Sequence, residues 1–245
     1  MDRLDRFSEV WVYLAASPLL GLTMTLAAYL VALHLYRRCR YHPAANPVLI
    51  AIVIVVSILA MTGTSYKTYF EGAQFVHFML GPATVALALP LFRQWSNFRR
   101  AALPLLLGLA AGSLTAIASA VGIAWWFGAS RQIIVSMAPK SATTPIAMAI
   151  AERFGGLPSL TAVMVICTGI LGAVSAKFIL NALRVDHHAV RGFALGVASH
   201  GIGTARALQV SAEMGAFAGL GMGLNGIFTA VLVPALLPLF LRYLG

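Results

Sequence analysis

Charge is what this sequence has least of. Only 10% of its 245 residues are Asp, Glu, Lys or Arg, where an ordinary soluble domain carries about 25%. Seven are acidic, and of these only Glu71, Glu152, Asp186 and Glu213 lie beyond residue 9. No soluble fold of this length needs so little charge. Cysteine is nearly absent too. Cys39 stands in a basic loop and Cys167 in an apolar run, so neither a CxxC pair, nor metal-ligand spacing, nor a disulfide can be drawn. No GxSxG, HExxH or Walker loop occurs, and no carboxylates pair at local spacing. His187-His188 beside Asp186 reads as a solvated basic loop. The chain is expected not to be an enzyme and to need no metal or cofactor.

What the chain has is grease. It is 60% hydrophobic, with a mean hydropathy of +0.88. A first apolar run, 10–36, is long enough to cross about 30 Å of hydrocarbon at about 1.5 Å per residue. It is too long for a secretory signal, and Met1-Asp2-Arg3-Leu4-Asp5-Arg6 is not a purely basic leader. Further apolar segments read 47–64, 75–92, 101–127, 158–180 and 214–241, with two less regular stretches at about 131–156 and 190–212. This is the pattern of a multi-pass protein of the inner cell membrane, with the lipid bilayer as its solvent.

The 17 basic residues give a net charge of +10. They are too scattered among apolar segments to suggest nucleic acid. Three clusters stand out: Arg37-Arg38 with Arg40, Arg93 with Arg99-Arg100, and Lys177 with Arg184 and Arg191. The positive-inside rule makes all three cytoplasmic. The chain must then cross an even number of times between them, so 131–156 is expected to enter from outside and return. By the same parity 190–212 enters from the cytoplasm. Complete crossing by both would give eight spans instead. The expected fold is an all-α polytopic membrane protein with about six full transmembrane helices plus two opposed re-entrant or broken-helix hairpins. A shift of 61 residues superposes Thr143 on Thr204, Glu152 on Glu213, Ile166 on Ile227 and Thr168 on Thr229, a faint sign of an inverted repeat. Residues 1–100 are expected to form scaffold helices and 101–245 a core that holds both breaks.

Those breaks carry the candidate chemistry. Pro139-Lys140-Ser141-Ala142-Thr143-Thr144-Pro145 and Ser199-His200-Gly201-Ile202-Gly203-Thr204-Ala205-Arg206 each combine one or two cationic-capable side chains, hydroxyls and helix interrupters. Irregular backbone at membrane depth is tolerated only where protein or a wet cavity satisfies it. Lys140 either meets a carboxylate or snorkels to water. Ser141, Thr143 and Thr144 can donate to carboxylate oxygens, or Thr144-Pro145 is simply an Ncap–N1 pair. Arg206 offers a carboxylate fork, or pairs with Glu213 or Glu152. His200 can carry a proton, or rests satisfied by backbone. Gly201 and Gly203 allow close approach, and Thr204 adds a hydroxyl. Glu152 and Glu213 read as charge partners or proton relays. Asn225, among Gly221, Gly223 and Gly226, reads as close helix packing, and Gly81-Pro82 with Thr84 as a possible third break.

Taken in order, Leu80-Gly81-Pro82-Ala83-Thr84-Val85-Ala86-Leu87-Ala88, Pro139 to Pro145, Gly155-Gly156-Leu157-Pro158-Ser159-Leu160-Thr161-Ala162-Val163, Ala198 to Ala207, and Gly215-Ala216-Phe217 with Gly221-Met222-Gly223-Leu224 resemble the LrgB/CidB family. The resemblance runs from about residue 47 to the end. It departs at Gly72-Ala73, where paired glycines at a turn are expected. The resemblance implies two functions. One is antiholin-like or holin-associated control of murein hydrolase activity and autolysis, beside a small LrgA/CidA-type membrane partner. The other is carriage of small carboxylates such as pyruvate, glycolate or glycerate, as in the plastid glycolate/glycerate transporter. The residues favour a proton-coupled monocarboxylate carrier, expected as a homodimer.

Overall fold

A computed structural model describes residues 18–42, 45–79, 82, 85–86, 92 and 95–243. Among them the regular structure is all helical. The chain divides into two compact units, Met1–Ala86 and Leu87–Gly245; the expected boundary at residue 100 lies inside the second. Among the described residues four helices are long and apolar enough to cross a membrane: Leu19–Arg38, Ala102–Trp126, Pro158–Ala182 and Ala212–Arg242.

The first unit contains α1 (Pro18–Arg38), α2 (Pro47–Thr62) and α3 (Tyr66–Phe78). Asn46 starts α2 by accepting from the amides of Val48 at 2.9 Å and Leu49 at 3.2 Å, with Pro47 in the first turn where its missing N–H costs nothing. Gly63 ends it in the left-handed conformation, φ 65°. Gly72-Ala73 does not form a turn, as the family pattern had suggested. Both residues lie inside α3, where Gly72 lets the backbone approach Gly21 of α1 closely. Thr25 Oγ1 and Tyr69 OH bond at 2.8 Å across the same contact. The Gly81 and Thr84 break, Arg93, and the acidic residues Asp2, Asp5 and Glu9 lie outside the described residues, as does half of the apolar segment 75–92.

The second unit holds α4 (Trp95–Arg100), α5 (Ala102–Trp126), α6 (Arg131–Met137), α7 (Thr144–Arg153), α8 (Pro158–Ala182), α9 (His188–Val210) and α10 (Ala212–Tyr243). Two helical hairpins organise it. The first is α6, a turn over 138–143, and α7. The end of α6 is tied to the start of α8: Ser136 Oγ accepts from the Leu157 amide at 2.7 Å, and Thr161 Oγ1 donates to the Ser136 carbonyl at 3.0 Å. The second hairpin is α9 itself, broken at Ser199 (φ −130°, ψ 16°) and His200 (φ 41°, ψ −132°). An unbroken helix would hold His188 and Ser211 about 34 Å apart. Instead His188 Nδ1 and Ser211 Oγ lie 2.9 Å apart, so the two limbs run back to back.

The hairpins enter the unit from opposite ends. Ile134, Val135 and Ile150 of the first pack on Val121 of α5 and on Val233 and Leu237 of α10. Phe193 and Val197 of the second pack on Leu105 and Leu109 at the other end of α5, and on Phe217 near the start of α10. The second hairpin seats on α10 backbone to backbone. A Cβ added at Gly192 or Gly196 would run into the carbonyls of Met214 or Ala218, and one at Gly221 into the carbonyl of Phe193. This is the small-residue packing that joins helices where water supplies no hydrophobic drive.

A side chain at Gly196 therefore meets rigid backbone. Gly196→Leu is expected to cost about 1–3 kcal/mol or more, as overpacking does, seen as a lower unfolding temperature of the detergent-solubilised protein. Gly223→Ala, at a helical position with open space around it, should be neutral or stabilising, since Ala is the better helix former by about 1 kcal/mol. Equal responses of the two variants would remove the backbone contact from the account.

Candidate functional site

The tips of the two hairpins both reach the middle of the long helices. Asn225, near the centre of α10, is fully buried and holds the first tip. Its Nδ2 donates to the Ser141 carbonyl at 2.9 Å, and its Oδ1 accepts from Ser113 Oγ, midway along α5, at 2.6 Å. The second tip presses on the centre of α8. A Cβ at Gly172 would fall on the Ser199 hydroxyl, and one at Gly169 would lie 2.6 Å from the His200 ring. His200 is buried, and its Nε2–H donates to the Val165 carbonyl at 2.8 Å. A carbonyl only accepts, so this bond fixes the tautomer.

Between the tips lies a cavity of about 770 Å³. Most of its wall is apolar, including Leu105, Phe193 and Val197. Its polar groups are Lys140 and Ser141 from the first tip, Ser199 from the second, and Thr168 and Ser175 from α8; the thiol of Cys167 joins them. Lys140 is the one charged residue among those that line it. Ser199 Oγ is buried and has no hydrogen-bond partner among the described residues. An unpaired buried hydroxyl costs about 1–3 kcal/mol; this one is packed over Gly172 rather than open to the cavity. The arrangement suits a small anion with one negative charge and further polar oxygens.

The other expected site residues are distributed around this cavity rather than on it. Thr143, not Thr144, is the residue before α7, and its hydroxyl makes no cap bond; Pro145 is therefore the second residue of the helix. Thr143 and Thr144 are half-buried and are not among the lining residues. Thr204 Oγ1 donates to the His200 carbonyl at 2.9 Å and closes the bend. A Cβ at Gly203 would strike the Leu195 carbonyl of the opposite limb, whereas one at Gly201 would make only ordinary contact with the Met222 sulfur, 4.0 Å away. Arg206 lies on the returning limb and lines a different cavity. Glu152 is exposed at the end of α7. Glu213 sits in the first turn of α10, where a carboxylate suits the positive end of the helix dipole. Neither glutamate lines either cavity. Sequence reasoning passed over Ser199, the α8 glycines and the structural task of Asn225. A polar residue amid glycines signals close packing but does not name the backbone group that it satisfies.

These features define a helical membrane protein built round two helical hairpins whose tips line one mostly apolar cavity. The chain belongs to the LrgB-like family, which it matches over residues 25–239. It is 36% identical to the "Uncharacterized protein YwbG" of Bacillus subtilis over 219 residues, 89% of this chain and 97% of the relative. It is 30% identical to the "Holin-like protein CidB" of Staphylococcus epidermidis over 81% of this chain and 87% of that one. With the "Antiholin-like protein LrgB" of Bacillus mycoides it shares 28% over 91% and 96%. No solved structure matches.

Removing Asn225 should loosen the first tip. Asn225→Ala leaves the Ser141 carbonyl and the Ser113 hydroxyl without their partner, a loss of about 1–3 kcal/mol for each buried group that water cannot reach. Ser113→Ala alone should cost less. The double variant should cost little more than Asn225→Ala, because the two residues share one bond. Additive losses in thermal unfolding would show that the network does not act as a unit.

Proposed function

We propose that the chain is a secondary carrier of small monocarboxylates, of the pyruvate, glycolate or glycerate class, coupled to protons and working in the inner cell membrane. The observation that carries this reading is the cavity between the hairpin tips, with one cation and several hydroxyls in a mostly apolar wall. Lys140 neutralises the carboxylate, and the hydroxyls of the wall donate to its oxygens or to the oxygen on the next carbon. Arg206 lines another space, so in this conformation the charge of the substrate falls to Lys140 alone. His200 spends its Nε2–H on Val165, which leaves the route of the coupled proton to be found elsewhere.

The architecture proposed for this task has six full spans and two re-entrant hairpins, with 37–46, 93–100 and 181–191 cytoplasmic. Each hairpin is followed by a long apolar helix, α8 or α10. The shift of 61 residues carries Ala138-Pro139 of the first tip onto Ser199-His200 of the second. Both facts support an inverted repeat whose halves meet at the bilayer midplane, the arrangement by which alternating access exposes one site to either side. The N-terminal helices serve as scaffold, in a homodimer and beside a small LrgA/CidA-type membrane partner.

A second reading is favoured by the names of the relatives, holin-like and antiholin-like. In it the protein modulates membrane permeability and murein hydrolase release by assembly, with no transported substrate. Proteoliposomes separate the two. Uptake of labelled pyruvate, glycolate and lactate driven by a pH gradient supports the carrier; leakage of an entrapped dye without substrate selectivity supports the assembly.

Lys140→Gln should weaken substrate binding strongly. Truncating one member of a buried charge pair costs about 2–5 kcal/mol, or roughly 30-fold to several-thousand-fold in affinity. The native thiol gives an independent readout. In a Cys39→Ser background, maleimide labelling of Cys167 on the cavity wall should slow in the presence of a transported carboxylate, and this protection should vanish in Lys140→Gln. Unchanged affinity in a folded Lys140→Gln protein would return the assembly reading to first place.

A further inference from the structure

A second cavity, of about 410 Å³, lies at the open end of the second hairpin. One wall is a single face of α8, on which Ala173, Lys177, Leu180 and Asn181 recur at helical spacing. The outgoing limb of α9 contributes His188, Arg191 and Leu195, and the returning limb Arg206 and Val210. By register, Ala173 and Leu195 lie nearer the bend than Asn181 and Arg191, and on the returning limb Arg206 lies nearer it than Val210.

Charge sets this space apart from the first cavity. Lys177, Arg191 and Arg206 line it together, and its lining residues include no carboxylate. Along an unbroken helix Arg191 and Arg206 would stand about 22 Å apart. The bend at Ser199-His200 brings both onto one cavity, opposite Lys177 of α8. Arg191 is oriented by its Nη2, which donates to Asn181 Oδ1 at 2.8 Å. Arg206 Nη1 lies 3.4 Å from Gln209 Oε1. The mouth is closed on one side by the His188–Ser211 bond, with Ser211 Oγ in turn accepting from the Met214 amide at 3.1 Å.

We propose that this cavity binds a phosphate-bearing anion, supplied by an anionic phospholipid headgroup or by a soluble phosphate monoester. Two guanidinium groups present planar forks that match phosphate oxygens two at a time, and an ammonium adds a third charge. A phosphate dianion answers more of this positive charge than a monocarboxylate does, which separates this site from the one at Lys140. The site stands whether or not the carrier reading does, because it shares no lining residue with the central cavity.

The test is a titration of the full-length detergent-purified protein, read by thermal unfolding, with sodium phosphate and glycerol phosphate against sodium chloride at matched ionic strength. In parallel, native mass spectrometry of protein exposed to phosphatidylglycerol or phosphatidylcholine scores retained lipid. Stabilisation by the soluble phosphates assigns a soluble ligand; selective retention of phosphatidylglycerol assigns a headgroup. Arg191→Gln and Arg206→Gln should each weaken the response about tenfold or more, the loss of a charge-assisted bond. Arg184→Gln, an exposed cation of the same loop that does not line the cavity, should behave as wild type. If an arginine variant fails to fold, Lys177→Gln and the wild-type comparison with chloride decide. A wild-type protein that distinguishes neither phosphate from chloride nor the two lipids overturns the proposal. So does an equal loss in Arg184→Gln.

Discussion

A helix broken inside hydrocarbon must hand its freed backbone groups to another partner, and this unit is arranged around that requirement. The first break surrenders the Ser141 carbonyl, which the Asn225 amide takes. The second is closed from within, by Thr204 bonding the His200 carbonyl, and from without, by His200 reaching Val165 on α8. Each donor comes from a buried side chain that would be costly without its acceptor. Break and partner therefore stabilise each other, and neither is tolerable alone. The glycines of α8 complete the scheme, since any side chain at Gly169 or Gly172 would occupy the space of the second tip.

The same two breaks produce two spaces of different electrostatic character. Where the tips converge, one lysine faces hydroxyls and apolar walls. Where the limbs of the second hairpin diverge from α8, three cations gather instead. The geometry of a hairpin explains the difference. Its tip can present only a few residues to the centre, while its open end collects side chains from both limbs and from the neighbouring helix.

Much of this was legible in the sequence. Low charge and long apolar runs identified the four long helices, and the interrupters marked both tips to within a few residues. The motifs from Pro139 to Pro145 and from Ala198 to Ala207 also indicated the family. What escaped was orientation. His200 and Arg206 share one motif, yet the reversed φ at His200 turns the former into α8 and carries the latter down the returning limb, away from Lys140. A one-dimensional motif cannot say which of its side chains lie on the same side of a bend. The cap at the start of α7 was misplaced by one residue for a related reason: Thr143 and Thr144 are chemically alike, and only backbone geometry separates them. At Gly72-Ala73 the family pattern implied a turn, whereas here the glycine permits the approach of α1.

The glycine seam between the second hairpin and α10 has a consequence for how the protein is made. During synthesis α9 leaves the ribosome before α10, so Gly192 and Gly196 wait without the carbonyls against which they fit. Throughout that interval a segment carrying Arg191, His200 and Arg206 has only α8 and earlier helices to shelter it. Its stable seating depends on α10. Maturation of the hairpin centre is thereby tied to the synthesis of α10, and a nascent polypeptide halted near residue 211 would present an unfinished hairpin to the quality-control machinery of the membrane.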